Sequence, residues 1–324
     1  MTEYFEVLDR DGAARRGELR LDSPRPTPAL VDDVLEDAGS LWVNDRAVPE
    51  GDESVLTVLP HRAFPSGTPE SIQEAFDVSV PDLDAPSAAV VTPNTAVDRG
   101  TDAYVLSGSQ GSVGHGRAFV DAIVETRSAI PDDAALYLPG VATPANAALL
   151  AYAGIDLVDA DRAVIAGRQG RYLLTDGAFD LEDLDELPCP CPACETPLED
   201  FDREACVEHN TTVLESELSR VRQRIRNGRL REYLEGQARQ TAWVTAALRL
   251  LDRTDGYLAE RTPIYRDQTM LASTEDALHR PEIRRFADRV THRYERRIED
   301  VPLLLLPCSA KKPYSESQSH RQFQ

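Results

Sequence analysis

The chain has 324 residues, with 35 basic against 56 acidic side chains, a net charge of −21 and 41% hydrophobic residues. That length holds two or three domains and a sizeable core, and no apolar run approaches the ~20 residues of a membrane-spanning helix, which excludes that class. Lys311 and Lys312 are the only lysines; an acidic, lysine-poor surface suits molar salt, where the Debye length falls to about 3 Å and self-repulsion is screened, whereas in dilute salt it would argue against a nucleic-acid partner.

In chain order, residues 1–60 predict short strands at Phe5–Leu8, Gly17–Leu21, Leu41–Val43 and Val55–Leu59, with an Asp11-Gly12 turn between the first two. Residues 61–86 are rich in Pro, Ser, Asp and Glu, with one helical patch at Ile72–Phe76, and read as a connecting segment. Residues 1–86 thus form a β-rich N-terminal part. From Ser87 strands and helices alternate: strands at 88–91, 103–106, 135–138 and 155–158, helices over Arg117–Arg127 and Pro144–Ala153. This predicts an α/β fold with a parallel sheet, open or closed as a β/α (TIM-like) barrel, in residues 87–240. Ligands in such folds sit beyond the carboxyl ends of the strands, where Gly108–Gly116, Gly140 and Asp159 fall. The glycines lack the phosphate-binding spacing and read as a flexible loop. Asp159 is either catalytic or a helix cap, and spacing favours the cap.

Four of the five cysteines then fall close together: Cys189, Cys191 and Cys194, followed by Cys206 and His209. Thiolate and imidazole are the ligands zinc prefers, and no leader directs the chain to a compartment where disulfides form. The spacing predicts structural Zn2+ in residues 187–210, closed by Cys189, Cys191, Cys194 and either Cys206 or His209.

Helices follow over Val213–Asn227 and Leu230–Leu251. Arg220, Arg222, Arg224, Arg226, Arg229 and Arg231 occur with no acid between the first and the last, so this stretch is either a solvated helix face or a phosphate-contacting surface. A third helix over Glu275–Arg297 mixes both signs and reads as a solvated face. Val301–Leu306 predicts a buried strand that delivers residues 307–320, a loop holding Cys308, Lys311, Lys312, Tyr314, Ser317 and His320. Thiol, ammonium, phenol and imidazole so close together are what a reaction centre uses. Residues 241–324 form a helical linker and the start of a further α/β domain.

Leu136-Tyr-Leu-Pro-Gly-Val-Ala-Thr-Pro, Ala153-Gly-Ile-Asp-Leu-Val-Asp159, Gly170-Arg-Tyr-Leu-Leu, the three-cysteine cluster and Glu208-His209-Asn210 resemble, in that order, the archaeal tRNA-guanine transglycosylases. Pro307-Cys-x3-Lys-Pro-Tyr-x2-Ser-x-Ser-His is similar to the signature of their paralogues, the archaeosine synthases. The resemblance implies a zinc-bearing, barrel-derived fold, with His209 as the fourth ligand, that adds free lysine to the nitrile of 7-cyano-7-deazaguanine at position 15 in the tRNA D-loop. It also implies a radical-SAM partner that cleaves the adduct, a cytoplasmic setting, and Cys308, Lys311, Lys312, Tyr314, Ser317 and His320 in the synthase centre; a homodimer is left open. The chain departs from the transglycosylase pattern in lacking an Asp-Ser-Gly-Gly-Phe-Gln-like segment, and relatives continue past the signature into an RNA-binding module, so a fragment, split subunit or truncation is expected. Two rival readings are a transglycosylase using Asp159 as nucleophile and a non-catalytic zinc and tRNA-binding subunit.

Overall fold

Alternating side chains and the Asp11-Gly12 corner produce the first hairpin, in which β1 (Phe5–Asp11) pairs antiparallel with β2 (Ala14–Leu19) and β3 (Arg25–Thr27) adds to β2. The structure is a computed structural model that describes residues 2–39, 49–62, 64, 68–76, 83–254, 256–295, 302, 306 and 308–323. Seven further strands form one all-parallel sheet: β4 (Ala29–Leu30), β5 (Leu35–Asp37), β6 (Leu56–Val58), β7 (Ser87–Val91), β8 (Ala103–Leu106), β9 (Ala135–Leu138) and β10 (Leu157–Val158). Their spatial order is β4-β10-β9-β8-β7-β6-β5.

The two edges of this sheet are neighbours in sequence. The Val31 amide still donates to Val158 O beside β10, the Val34 carbonyl already accepts from Leu56 N beside β6, and the Val34 amide closes on Val31 O at 3.0 Å. Laid flat, six inter-strand spacings would hold β4 and β5 about 29 Å apart, while the chain from Leu30 to Leu35 reaches at most about 18 Å. The sheet therefore curls until one turn joins its edges, which is a shortened TIM-like barrel.

Side chains alternate across the wall with the strand period of two. Leu56, Val58, Ala88, Ala103, Val105, Ala135, Tyr137 and Leu157 share the inner cluster; Ala89, Val91, Tyr104, Leu106, Leu136, Leu138 and Val158 belong to the outer one. Ala88, Ala103 and Ala135 are register partners, and the room these small residues leave is taken by Phe5, Leu19 and Leu21 of the N-terminal segment. The hairpin plugs the amino end of the barrel. Asp102 pins it by accepting the Glu3, Tyr4 and Ser87 amides, and Arg15 forms a buried pair with Asp156. The 86/87 boundary expected from sequence character falls inside this sheet, because Thr57 pairs with Ser87 and Val58 with Ala88. Strands as short as β4–β6 carry too few residues to show their period.

α1 (Glu70–Ala75) lies within the connecting segment. The barrel's outer face carries α2 (Gly116–Ala129), α3 (Ala147–Tyr152) and α4 (Asp161–Arg168). A hairpin of β11 (Arg171–Leu174) and β12 (Gly177–Asp180) leads to the cysteine loop and then to α5 (Arg203–Arg226). α5 starts well before the expected Val213 because Asp202 caps it, accepting the Glu204 and Ala205 amides at 3.0 and 2.9 Å. Gly167 on α4 lets α5 approach closely: a methyl there would meet the Val207 Cα at 2.7 Å. Leu214, Leu218, Val221 and Ile225 form the buried stripe of α5.

The helix expected over Leu230–Leu251 is two, α6 (Leu230–Gln237) and α7 (Ala242–Leu251), separated by a 3-10 turn and an extended Thr241. α8 (Tyr257–Arg261) follows, then β13 (Met270–Leu271). The helix expected over Glu275–Arg297 begins only at Pro281, whose missing N–H suits a first helical position, as α9 (Pro281–Asp288), and continues as a π turn over Arg289–Arg293. β14 (Lys311–Lys312) pairs antiparallel with β13. The strand expected at Leu41–Val43 lies outside the described residues, as do 301 and 303–305 of the expected Val301–Leu306 strand; Pro302 and Leu306 are exposed and in no strand. Among the described residues no helix is long and apolar enough to cross a membrane.

Candidate functional site

Three places hold the residues singled out from the sequence. In the first, the loop before α5 carries Cys189, Cys191 and Cys194 while the second turn of α5 carries His209, and their ligand atoms all lie within 4.8 Å of one another. Cys191 Sγ and Cys194 Sγ are 3.5 Å apart, and His209 Nδ1 is 3.4 and 3.3 Å from them. Bonds of about 2.3 Å to sulfur and 2.0 Å to nitrogen at tetrahedral angles require separations of about 3.5–3.8 Å, so the four residues fit a tetrahedral metal.

The surroundings fix the histidine for that role. Nε2 faces the Leu173 carbonyl at 2.9 Å; a carbonyl only accepts, so Nε2 holds the proton and Nδ1 turns its lone pair to the thiols. Burial keeps the ring below the ordinary imidazole range, hence neutral at pH 7. Tyr172 stacks on it at 3.7 Å and sets its hydroxyl 3.3 Å from Cys194 Sγ. Asn210 locks the next position, accepting from Leu173 N and donating to the Ala163 and Arg171 carbonyls. Cys206, the competing ligand, points instead at Arg171 O, 3.5 Å away, and is outside the cluster. With four protein ligands the sphere is closed, which suits a structural metal.

The second place is the carboxyl end of β10. Asp159 is buried and accepts the Tyr137 hydroxyl at 2.8 Å, the Gly140 amide at 2.7 Å and the Asp161 amide at 3.2 Å. Gly140, at φ +68°, turns its N–H back toward the carboxylate in a conformation that few other residues adopt. Burial raises the Asp159 pKa and the amides and phenol oppose that rise. The helix cap that spacing favoured for Asp159 is not formed: Ala160 occupies the N-cap of α4, and of that helix Asp159 reaches only the Asp161 amide, its longest contact. The Gly108 region forms a 3-10 turn, Ser109–Ser112, leading into α2.

The third place is the C-terminal loop. Cys308 is exposed, with Sγ 3.4 Å from the Tyr314 hydroxyl and 3.6 Å from Lys312 Nζ. The Tyr314 hydrogen bond, and then the Lys312 charge, hold its thiol below the usual range. His320 is buried and stacks on Tyr314 at 4.8 Å, and its Nδ1 lies 3.2 Å from Ser319 Oγ. Ser317 bonds Ser309 at 2.6 Å and Ser319 at 2.9 Å, closing the loop on itself. The loop joins the body through β13–β14, where the Leu271 amide donates to Glu232 of α6 at 2.5 Å. Lys311 contributes to that pairing and leaves its side chain exposed.

The arginine stretch divides. Arg220 pairs with Glu217 and Arg229 with Glu232, while Arg222 bonds the Pro28 carbonyl and Arg224 lies over the Tyr233 ring. Arg226 is exposed. Arg231 is 2% exposed, bound to Glu235, Asp252 and Tyr152, and therefore cannot meet RNA as expected. The acids that neutralise Arg220, Arg229 and Arg231 stand just outside the acid-free window. Sequence reasoning passed over Ser309, and it quoted Tyr172 and Asn210 only within motifs, without a role; their roles come from chain segments brought together by the fold.

Residues 82–242 match the family described as queuine tRNA-ribosyltransferase, and residues 283–324 match a domain of unknown function. The whole chain is 57% identical to 55% of the archaeosine synthase of Haloferax volcanii, and 40% identical to 57% of the archaeosine synthase subunit alpha of Methanosarcina acetivorans. Over 53% of its length it is 36% identical to 34% of the tRNA-guanine(15) transglycosylase of Haloferax volcanii. The chain spans about half the length of the curated relatives it matches.

Proposed function

We propose that this chain, similar over its whole length to about half of each archaeosine synthase compared, is a transferase of that kind, adding free lysine to the nitrile of 7-cyano-7-deazaguanine in the D-loop of tRNA. The observation that carries this reading is the Cys308 thiol set between the Tyr314 phenol and the Lys312 ammonium, with His320 stacked behind. A nitrile needs a nucleophile in line and a proton for its nitrogen. Cys308 attacks as thiolate: a C–S bond forms, one C–N π pair moves to nitrogen, and Tyr314 or His320 supplies the proton, giving a thioimidate. The amine of lysine then adds to the same carbon, loses a proton, and expels the thiolate. Lys312 stabilises the thiolate at both ends of this cycle, and Lys311, whose side chain is free of the loop, receives the carboxylate of the incoming amino acid.

Zn2+ at Cys189, Cys191, Cys194 and His209 holds the cysteine loop against α5. Of the arginines expected to meet RNA, Arg224 and Arg226 carry no ion pair among the described residues and are the ones of α5 offered to tRNA phosphates. By the same resemblance the partner of the chain is a radical-SAM protein that cleaves the lysine adduct, in a cytoplasmic setting, with the chain acting as a homodimer. The test is mass spectrometry of nucleosides after cyano-deazaguanine tRNA is incubated with the chain and labelled lysine in high salt; a tRNA without label sinks the proposal. If a Cys308→Ala chain adds lysine at a near-normal rate, the covalent step is wrong and the thiol only lines the site.

The placement of Asp159 beyond β10, inside the segment matching the ribosyltransferase family, favours a second reading: a nucleophile for exchange of the tRNA base. Its three donors fix its position and favour its ionised form against the effect of burial. Release of labelled guanine from tRNA, abolished in Asp159→Asn, would support this reading over lysine addition.

A further inference from the structure

We propose that the cleft beside Lys312 admits a single-stranded stretch of RNA to the Cys308 loop, an inference that rests on the reading of tRNA as substrate. The cleft has a volume of about 680 Å³ and lies between the 263–270 segment, α9 with its π turn, and Lys312–Pro313. Its charge opposes that of the chain. Five cations, Arg266, Arg285, Arg289, Arg293 and Lys312, line it against the three carboxylates of Asp267, Glu282 and Asp288, on a polypeptide of net −21.

Three of those cations, Arg285, Arg289 and Lys312, face no carboxylate among the described residues, Lys312 being bound to Cys308 Sγ and the Ser309 carbonyl. Arg266 is held by Asp11 and Glu282, and Arg293 by Asp288. Arg285 bonds only the main-chain carbonyls of Ala259, Thr262 and Pro263, so its charge is not neutralised. Arg289 is exposed and has no partner among the described residues. Tyr265 adds a flat π-face, 79% exposed, on the same wall. Unneutralised cations beside an uncovered aromatic ring form the combination that holds unpaired RNA, the cations following the backbone and the ring stacking a base. A free amino acid would use one cation and leave the ring idle. Lys312 belongs both to this cleft and to the Cys308 contacts, so a base held here stands at the loop that would modify it.

Salt sharpens the expectation. At molar ionic strength attraction beyond about 3 Å is screened, so stacking on Tyr265 contributes at least as much as charge. Binding of a tRNA transcript to the full chain is measured by fluorescence anisotropy over a KCl series. Tyr265→Ala weakens binding about tenfold across the series; Arg289→Glu weakens it most at low KCl and reduces the slope of log K against log salt by about one. Arg20→Glu, an exposed change beside Glu6 at the plugged end of the barrel, binds as the parent does. Parent-like binding by both cleft variants, or equal weakening by Arg20→Glu, overturns the cleft. Lysine incorporation by the parent is scored separately. Cleft-dependent binding without incorporation rejects the modification reading alone, and normal incorporation with cleft-independent binding rejects the cleft alone.

Discussion

Cys308 and His209 show how neighbours decide what a side chain can do. Because a phenol and then an ammonium lower the Cys308 thiol pKa, its alkylation by iodoacetamide has a midpoint below the ordinary thiol value of 9.0. Tyr314→Phe raises that midpoint, and Lys312→Met raises it by less; an unchanged midpoint in both variants would show that the two neighbours do not act on the thiol. At the metal cluster, His209→Ala lowers zinc content measured by atomic emission from about one per chain to near zero, and the melting temperature falls by about 5 °C or more, in line with loss of a ligand worth several kcal/mol. A chelator has the same effect on the parent and little on the variant. Asn210→Ala strands the Leu173 amide and the Ala163 and Arg171 carbonyls and costs about 2–4 kcal/mol in denaturant unfolding. The cysteines and His209 were legible because thiol and imidazole spacing is a chemical signature that needs no fold. Cys206 and His209 stood equal in spacing; the resemblance favoured His209, and the direction of the side chains from α5 separates the two. Asn210 was legible only as part of the Glu208-His209-Asn210 resemblance; its role, in the second turn of α5, shows only once β11 is seen beside it.

At the scale of elements, helices α3, α6 and α7 and the segment before α9 converge on one buried cation. Arg231 of α6 binds Asp252 after α7 at 2.5 Å, Glu235 at 2.8 Å, the Tyr152 hydroxyl of α3 at 3.0 Å and the Asp276 carbonyl. Removing one partner leaves buried charge unmatched, so Arg231→Met loses about 3–5 kcal/mol by urea unfolding, and since the pair is shielded from ions the loss is nearly the same at low and high KCl. Charge reversal at Arg226, by contrast, leaves stability within about 0.5 kcal/mol and reports only on tRNA affinity. Sequence could not separate these arginines: a spacing of two residues scatters them around a helix of 3.6 residues per turn, and which one meets Asp252 depends on where α5 ends and α6 begins. The stop of α6 was also hidden. Gly236, next to the last residue of α6, is the one weak helix former of note in 230–251, and beyond it α7 packs on α2, where Trp243 meets Phe119 edge-on at 5.6 Å.

For the whole molecule, the dominant fact is net charge. Carboxylate repulsion opposes compaction in dilute buffer and is screened in brine, so the melting temperature rises steeply from low to molar KCl; a flat profile by calorimetry would remove the adaptation to salt. The parallel α/β class was legible from strand and helix alternation, and the plugging hairpin from its turn. The shortened barrel was expected from the resemblance to the transglycosylases; in the residue pattern itself closure stayed open, because the strands that complete the barrel are two or three residues long and their partners lie far along the chain. That distance has a consequence for how the protein is made. Ala29 and Leu30 have no neighbour on one side until Leu157 and Val158 emerge from the ribosome, on the order of ten seconds after they do. Through that interval the turn at Val31–Val34 keeps β4 tied to β5 as an open flap, and translation speed between the two strands governs how long its unpaired edge is offered to other chains.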